Sequence, residues 1–171
     1  MADNEFSHRI DPRAVDTRPV VLEADETERA ALAKRFGLVS IGRLTATLAL
    51  EADGQAVTAK GRMQADWIQP CSVSGEDLAQ SADEELDLRF VPARAEPAAP
   101  DEVIELEEHE LDEIEYEGQT FDLGEAVAQS LALAIDPYAT GPDAERVRRE
   151  KGLSDEASSG PFAALAALRK D

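Results

Sequence analysis

The stretch Leu44-Thr45-Ala46-Thr47-Leu48-Ala49-Leu50, followed after Glu51-Ala52-Asp53-Gly54-Gln55-Ala56 by Val57-Thr58-Ala59-Lys60-Gly61-Arg62-Met63-Gln64-Ala65-Asp66-Trp67, decides the fold. Leu44, Ala46, Leu48 and Leu50 take alternate positions, with Thr45, Thr47 and Ala49 between them. Val57, Ala59, Gly61, Met63, Ala65 and Trp67 alternate in turn with Thr58, Lys60, Arg62, Gln64 and Asp66. A period of two places successive side chains on opposite faces of a strand. Ala52-Asp53-Gly54 is a turn signal between the two runs. The stretch therefore predicts a long hairpin with one dry face and one wet face. Leu86, Leu88 and Phe90 alternate with Glu85, Asp87 and Arg89, which predicts a third long strand ended by Pro92. The sheet is expected to include 41–51, 55–67 and 84–91.

Upstream, Phe6, His8 and Ile10 share one side of a short predicted strand, and Val20-Val21-Leu22 reads as extended. Asp25 caps a helix running to Phe36, with Glu28 at the box position and Gly37 as the stop. Leu32 and Phe36 form its inner stripe, and Lys34 and Arg35 suit the negative end of the helix dipole. Downstream, Asp122 caps a second helix with Glu125 three residues on, and Leu123, Val127 and Leu131 make its apolar stripe. Asp136-Pro137 ends it, because the residue before proline is pushed out of the helical region.

Between the third strand and this helix, 92–101 is a Pro/Ala loop, expected to be mobile. The run from 103 to 116 has no Lys or Arg. It reads as one or two acidic strands, a poorly ordered flap, or an acidic helix ended by Gly118. Beyond Pro142 the chain loses periodicity, so 141–160 is expected to be flexible with a transient helix around Arg146–Lys151. The expected fold is α+β, an antiparallel, partly closed, barrel-like sheet with two main helices. Residues 1–140 are read as a single domain with a mobile acidic loop near 92–118, and 141–171 as a tail ending in a short helix.

The length of 171 residues fits one ordinary domain with tails, and 43% hydrophobic residues suffice for a core. There is no apolar run of 18 residues and no signal-peptide pattern, and a lone cysteine makes no internal disulfide, so a cytoplasmic protein that avoids membranes is expected. The formal net charge is −20. It is concentrated: residues 73–142 hold 2 basic side chains against 20 acidic ones, while 1–72 hold 9 against 11 and 143–171 hold six of each. Such a field repels phosphate backbones and suits a basic partner, although acidity also serves solubility alone.

Candidate chemistry is sparse. The sequence has no nucleophile elbow and no Gly-rich phosphate loop. Carboxylates are too abundant for any pair to stand out as acid and base. Cys71 lies near Glu76 and Asp77, whose charges are expected to raise its pKa, so a structural thiol is the expectation. Cys71, His8 and His109 do not make a tetrahedral ligand set. No enzyme activity, metal or cofactor is expected. Arg43, Lys60 and Arg62 on the wet face, with Arg146 and Arg149 in the tail, are the candidate RNA contacts. Glu105, Glu107, Glu108 and Glu110 form the candidate acidic face.

Three pieces together resemble the YceD family. They are Gln69-Pro70-Cys71-Ser72-Val73-Ser74-Gly75-Glu76, then Asp122-Leu123-Gly124-Glu125 with its helix and Pro137-Tyr138 stop, and Gly160-Pro161-Phe162-Ala163-Ala164-Leu165-Ala166-Ala167-Leu168. The resemblance implies a role in accumulation of large-subunit (23S) ribosomal RNA during ribosome assembly. It marks Cys71, Asp122, Leu123, Gly124, Glu125, Pro137, Pro161, Phe162, Leu165 and Leu168 as candidate motif and partner-binding positions. Some relatives are expected to hold zinc through Cys-x-x-Cys pairs; here Ser74 stands where the second thiol would fall. Phe162, Leu165 and Leu168 lie at helical spacing, for docking either on the chain's own sheet or in another molecule's groove. The expected function is a non-enzymatic assembly factor that binds a basic ribosomal protein or a large-subunit assembly intermediate. The alternatives are direct 23S ribosomal RNA binding through the hairpin and tail cations and, far behind, a small carboxylate-dependent enzyme.

Overall fold

The computed structural model describes residues 5–93 and 113–152. Its elements in chain order are β1 (Arg9–Ile10), a 3-10 turn (Pro12–Ala14), β2 (Val20–Glu23), α1 (Glu26–Phe36), β3 (Ser40–Asp53), β4 (Ala56–Pro70), β5 (Asp77–Pro92), β6 (Glu113–Tyr116), β7 (Phe121–Asp122), α2 (Leu123–Ala134) and α3 (Ala144–Glu150). The five-stranded sheet has the order β2-β3-β4-β5-β6, and β1 and β7 form a separate two-stranded ribbon.

The alternating hairpin is β3 and β4, longer at both ends than its apolar signal. The register sets Leu44 against Ala65, Leu48 against Gly61, and Asp53 against Ala56 across the turn. Leu44, Ala46, Leu48, Leu50, Val57, Ala59, Met63, Ala65 and Trp67 are all buried, so the dry face is the one the alternation marks. β5 runs antiparallel to β4 and begins at Asp77, seven residues before the expected start. Its first half is polar and half-exposed, and backbone pairing to β4 holds it without a strong apolar signal of its own.

Both helices close over this face. Asp25 and Glu28 form the reciprocal capping box at the start of α1, and Leu32 and Ala33 are buried against β3, with Phe36 partly buried. In α2 the stripe Leu123, Val127, Leu131 is fully buried. Phe90 of β5 stacks on Phe121 with ring centroids 4.4 Å apart, and Tyr116 lies 6.0 Å from Phe121. These residues make one core.

Two expectations are corrected. The sheet is open, not barrel-like. Its edge strands β2 and β6 have four residues each, β2 pairing with Thr45–Leu48 and β6 with Arg89–Pro92. No ladder joins these short edges, which flank opposite sides of the three long strands. The sheet is also mixed, because β6 runs parallel to β5. A parallel neighbour needs a long crossover rather than a tight turn. That connection is largely 94–112, outside the described residues, as are Glu105, Glu107, Glu108 and Glu110.

Gly61 sits on the dry face where the others carry side chains. A Cβ built there would fall 1.9 Å from the Thr47 carbonyl oxygen and 2.9 Å from Leu48 Cα. The backbones of β3 and β4 touch at this point, which only glycine permits.

Candidate functional site

Two motif segments form junctions that tie the chain together. At the first, Asp122 ends β7 and caps α2. Its carboxylate accepts from the Glu125 amide (3.1 Å), from the His8 amide (2.9 Å) and from the Ser7 hydroxyl (2.6 Å). The Leu123 amide donates to the His8 carbonyl at 3.0 Å. Gly124 lies against the same N-terminal segment: a Cβ there would meet the Phe6 carbonyl oxygen at 2.6 Å and the His8 nitrogen at 2.9 Å. Asp-Leu-Gly thus seats residues 6–8 on the start of α2, with Leu123 in the core.

Glu125 does something other than complete the expected capping box. Its carboxylate takes two hydrogen bonds from Arg35, at 2.7 and 2.9 Å, and one from Gln129 at 3.0 Å. Arg35 also reaches Glu5 at 3.2 Å. The pair therefore joins the last turn of α1 to the first turn of α2. Hydrogen bonding from Arg35 holds the Glu125 carboxyl below its ordinary value of 4.5. A carboxylate with a depressed folded pKa adds stability above its unfolded pKa, and that stability is lost as pH falls through the folded value. Melting temperature measured from about pH 6 to about pH 3 is expected to drop more steeply for the wild type than for Glu125→Gln, which lacks this titration. Parallel curves would exclude the linkage.

At the second junction, the turn after β4 grips the segment after α2. Trp67, the sole tryptophan, is buried, and its indole donates to the Gln69 side-chain oxygen at 2.7 Å. Gln69, also buried, passes the contact on by donating to the Asp136 carbonyl at 2.7 Å. The Ser72 amide donates to the Ala139 carbonyl (3.0 Å), and its hydroxyl donates to the Tyr138 carbonyl (3.2 Å). Cys71 Sγ accepts from the Ser74 amide at 3.4 Å and the Gly141 amide at 3.3 Å. Pro137 and Tyr138 face solvent.

The Cys71 thiol is 3% exposed, yet its pKa is lowered, not raised as its acidic sequence neighbours suggested. Hydrogen bonds from Ser74, side chain first and then backbone, together with the amides of Gly141 and Val73, bring it to about 6. Donors aimed at sulfur favour the thiolate. Absorbance at the thiolate band is expected to titrate with a midpoint of about 6, and Ser74→Ala is expected to move it upward. A midpoint near the ordinary value of 9.0 would contradict this account. Cys71 belongs to this junction and His8 to the other, so the structure does not bring these two potential metal ligands into one ligand set; His109 lies outside the described residues.

The candidate RNA contacts are the third feature. Arg43 pairs with Asp66 at 2.8 Å and Lys60 with Asp87 at 2.9 Å; Arg62 pairs with Asp83. Arg89 adds a pair to Glu113 at 3.0 Å. The wet face of the hairpin is therefore a row of cross-strand ion pairs. In α3, Arg146 pairs with Asp143 and Glu150, Arg148 pairs with Glu145, and Arg149 donates to the Glu145 carbonyl. Each of these exposed ion pairs contributes little to stability, but in each the acid offsets the field of its cation, whereas Arg149 meets a backbone carbonyl rather than a carboxylate. Pro161, Phe162, Leu165 and Leu168 lie outside the described residues.

Sequence reasoning found Asp122, Glu125 and Cys71 but missed their partners. Arg35 reads only as a favourable last-turn cation. Gln69 enters the sequence reading only as part of the Gln69–Glu76 motif, and its buried role depends on α2 ending beside it. No helix among the described residues is long and apolar enough to cross a membrane. Residues 59–169 match the family described as large ribosomal RNA subunit accumulation protein YceD. Comparison with curated proteins finds no match, nor does comparison with solved structures. The match spans most of the chain, including both junction turns and the last motif, and the chain belongs to the YceD family.

Proposed function

We propose that this chain supports accumulation of large-subunit ribosomal RNA as a non-enzymatic factor, by holding a basic ribosomal protein or assembly partner on its acidic surface. One observation carries the reading. The cations that a phosphate backbone would need, Arg43, Lys60, Arg62 and Arg146, are engaged by carboxylates of the chain itself. The described residues carry 14 Lys and Arg against 25 Asp and Glu. A surface of that sign steers cationic partners toward it and phosphate away. The run from Asp101 to Glu117 adds to the same field and is the proposed contact.

The test is charge neutralisation. Changing Glu105, Glu107, Glu108 and Glu110 together to Gln is expected to weaken association with a purified basic large-subunit protein at least about tenfold at low salt, and to leave folding intact. Unchanged association of this variant, with association abolished when Lys60, Arg62 and Arg149 are replaced, would favour direct RNA contact instead.

A further inference from the structure

β5 pairs with β4 from Asp77 to Phe90, but on its other side β6 covers only Arg89–Pro92. Among the described residues no strand pairs with 77–88 on that side. At about 3.3 Å per residue this is about 40 Å of open sheet edge. The register fixes which backbone groups point into the opening. The Cys71 amide donates to the Glu76 carbonyl at 2.7 Å, one step beyond the Pro70–Asp77 pair. Hydrogen-bonded and non-hydrogen-bonded pairs alternate along an antiparallel ladder. Even-numbered residues of β5 therefore turn their N–H and C=O groups to β4. Asp77, Ala79, Ser81, Asp83, Glu85 and Asp87 turn theirs outward, and their side chains lie exposed on the wet face.

We infer that this edge receives an extended, Lys/Arg-bearing segment of a partner protein as an added strand; the inference rests on the reading above that the partner is basic. In such pairing the main chain supplies the hydrogen bonds and the side chains choose the occupant. Residues 77–88 hold five acids and no Lys or Arg. Lys60 and Arg62 engage Asp87 and Asp83, whereas Asp77, Glu84 and Glu85 form no ion pair among the described residues. A second copy of β5 on this edge would set like charges against one another. The chain's own run from 101 to 112, which has no Lys or Arg, would do the same. On the opposite side of β5, Leu78, Ala82 and Leu88 are half-buried and Leu86 is buried, with Glu84 as the carboxylate among them. The complementary strand therefore alternates cations, facing the exposed carboxylates, with small apolar residues that extend the dry face.

Amide hydrogen exchange of the full chain tests this, with an excess of a peptide of about ten residues alternating Lys and Val as the probe. In the free chain the amides of Ala79, Ser81, Asp83 and Glu85 are expected to exchange fast, and those of Gln80, Ala82 and Glu84 slowly. The peptide is expected to slow the first set at least about tenfold. The same peptide N-methylated throughout keeps its charge but loses its donors, and is expected to give no such protection. The variant with Glu105, Glu107, Glu108 and Glu110 changed to Gln is expected to keep the protection, so failure of the contact proposed at 101–117 leaves the edge intact. Slow exchange of the first set in the free chain would assign the edge to the chain's own segment, or to a second copy if it fades on dilution, and would overturn the inference. Equal protection by the methylated peptide, or protection by neither, would overturn it as well, while the basic-partner reading keeps its own test.

Discussion

Gly61→Ala is expected to destabilise the protein by about 3 kcal/mol or more, the upper part of the range for overpacking a tight interior. The added methyl would lie 1.9 Å from the Thr47 carbonyl oxygen. A flexible side chain can turn away from such a contact. Here the obstacle is backbone in the middle of the β3–β4 ladder, with Leu48 paired opposite and Leu86 on the other side. Relief therefore requires two long paired strands to part or shift register. A one-residue shift would turn the dry face outward. For a chain of this size the loss corresponds to a fall in melting temperature of about 6–12 °C. Thermal and urea unfolding of Gly61→Ala check it. A loss below about 1 kcal/mol would mean that β3 and β4 are not this close at Gly61.

Leu131→Ala is expected to cost about 2–5 kcal/mol, the range for emptying a core leucine site. Leu131 has no exposed surface and completes the buried α2 stripe within the single core. Leu133, two residues on, is 89% exposed. Leu133→Ala is accordingly expected to change stability by no more than about 0.5 kcal/mol. The contrast between neighbouring leucines on one helix is the informative result. Equal effects would place the helix on a different face.

The parts of the fold that were legible in sequence are those governed by local rules. Alternation marked the dry face of β3, β4 and the second half of β5, and capping chemistry marked Asp25 and Asp122. What was not legible depends on partners far along the chain. The first half of β5 has a weak apolar pattern and exists through its pairing with β4. The parallel placement of β6 and the open edges follow from a crossover, which periodicity does not encode. The same limit applies at the junctions. Asp122 could be read as a cap, but not as the anchor of Ser7 and His8. Cys71 was read from its acidic sequence neighbours, whereas the donors that govern it come from Ser74 and from Gly141, 70 residues away. The basic patch on the wet face was visible as cations, while the acids that neutralise it, Asp83 and Asp87, belong to a strand whose register was unknown.

These junctions give the motif residues Asp122 to Glu125 and Cys71 a structural role: they join the N-terminal segment, α1 and the α2 exit to the sheet. On the proposed reading, it is the acidic surface that selects a partner. Its role is tested most directly by titrating the full chain, in parallel, with a basic large-subunit ribosomal protein and with a 23S ribosomal RNA fragment at two salt concentrations, about 0.05 M and about 0.5 M. The account predicts saturable binding to the protein at low salt, weakened at least about tenfold at high salt, and no saturable binding to the RNA at either. Saturable, salt-sensitive binding to the RNA with none to the protein would contradict it.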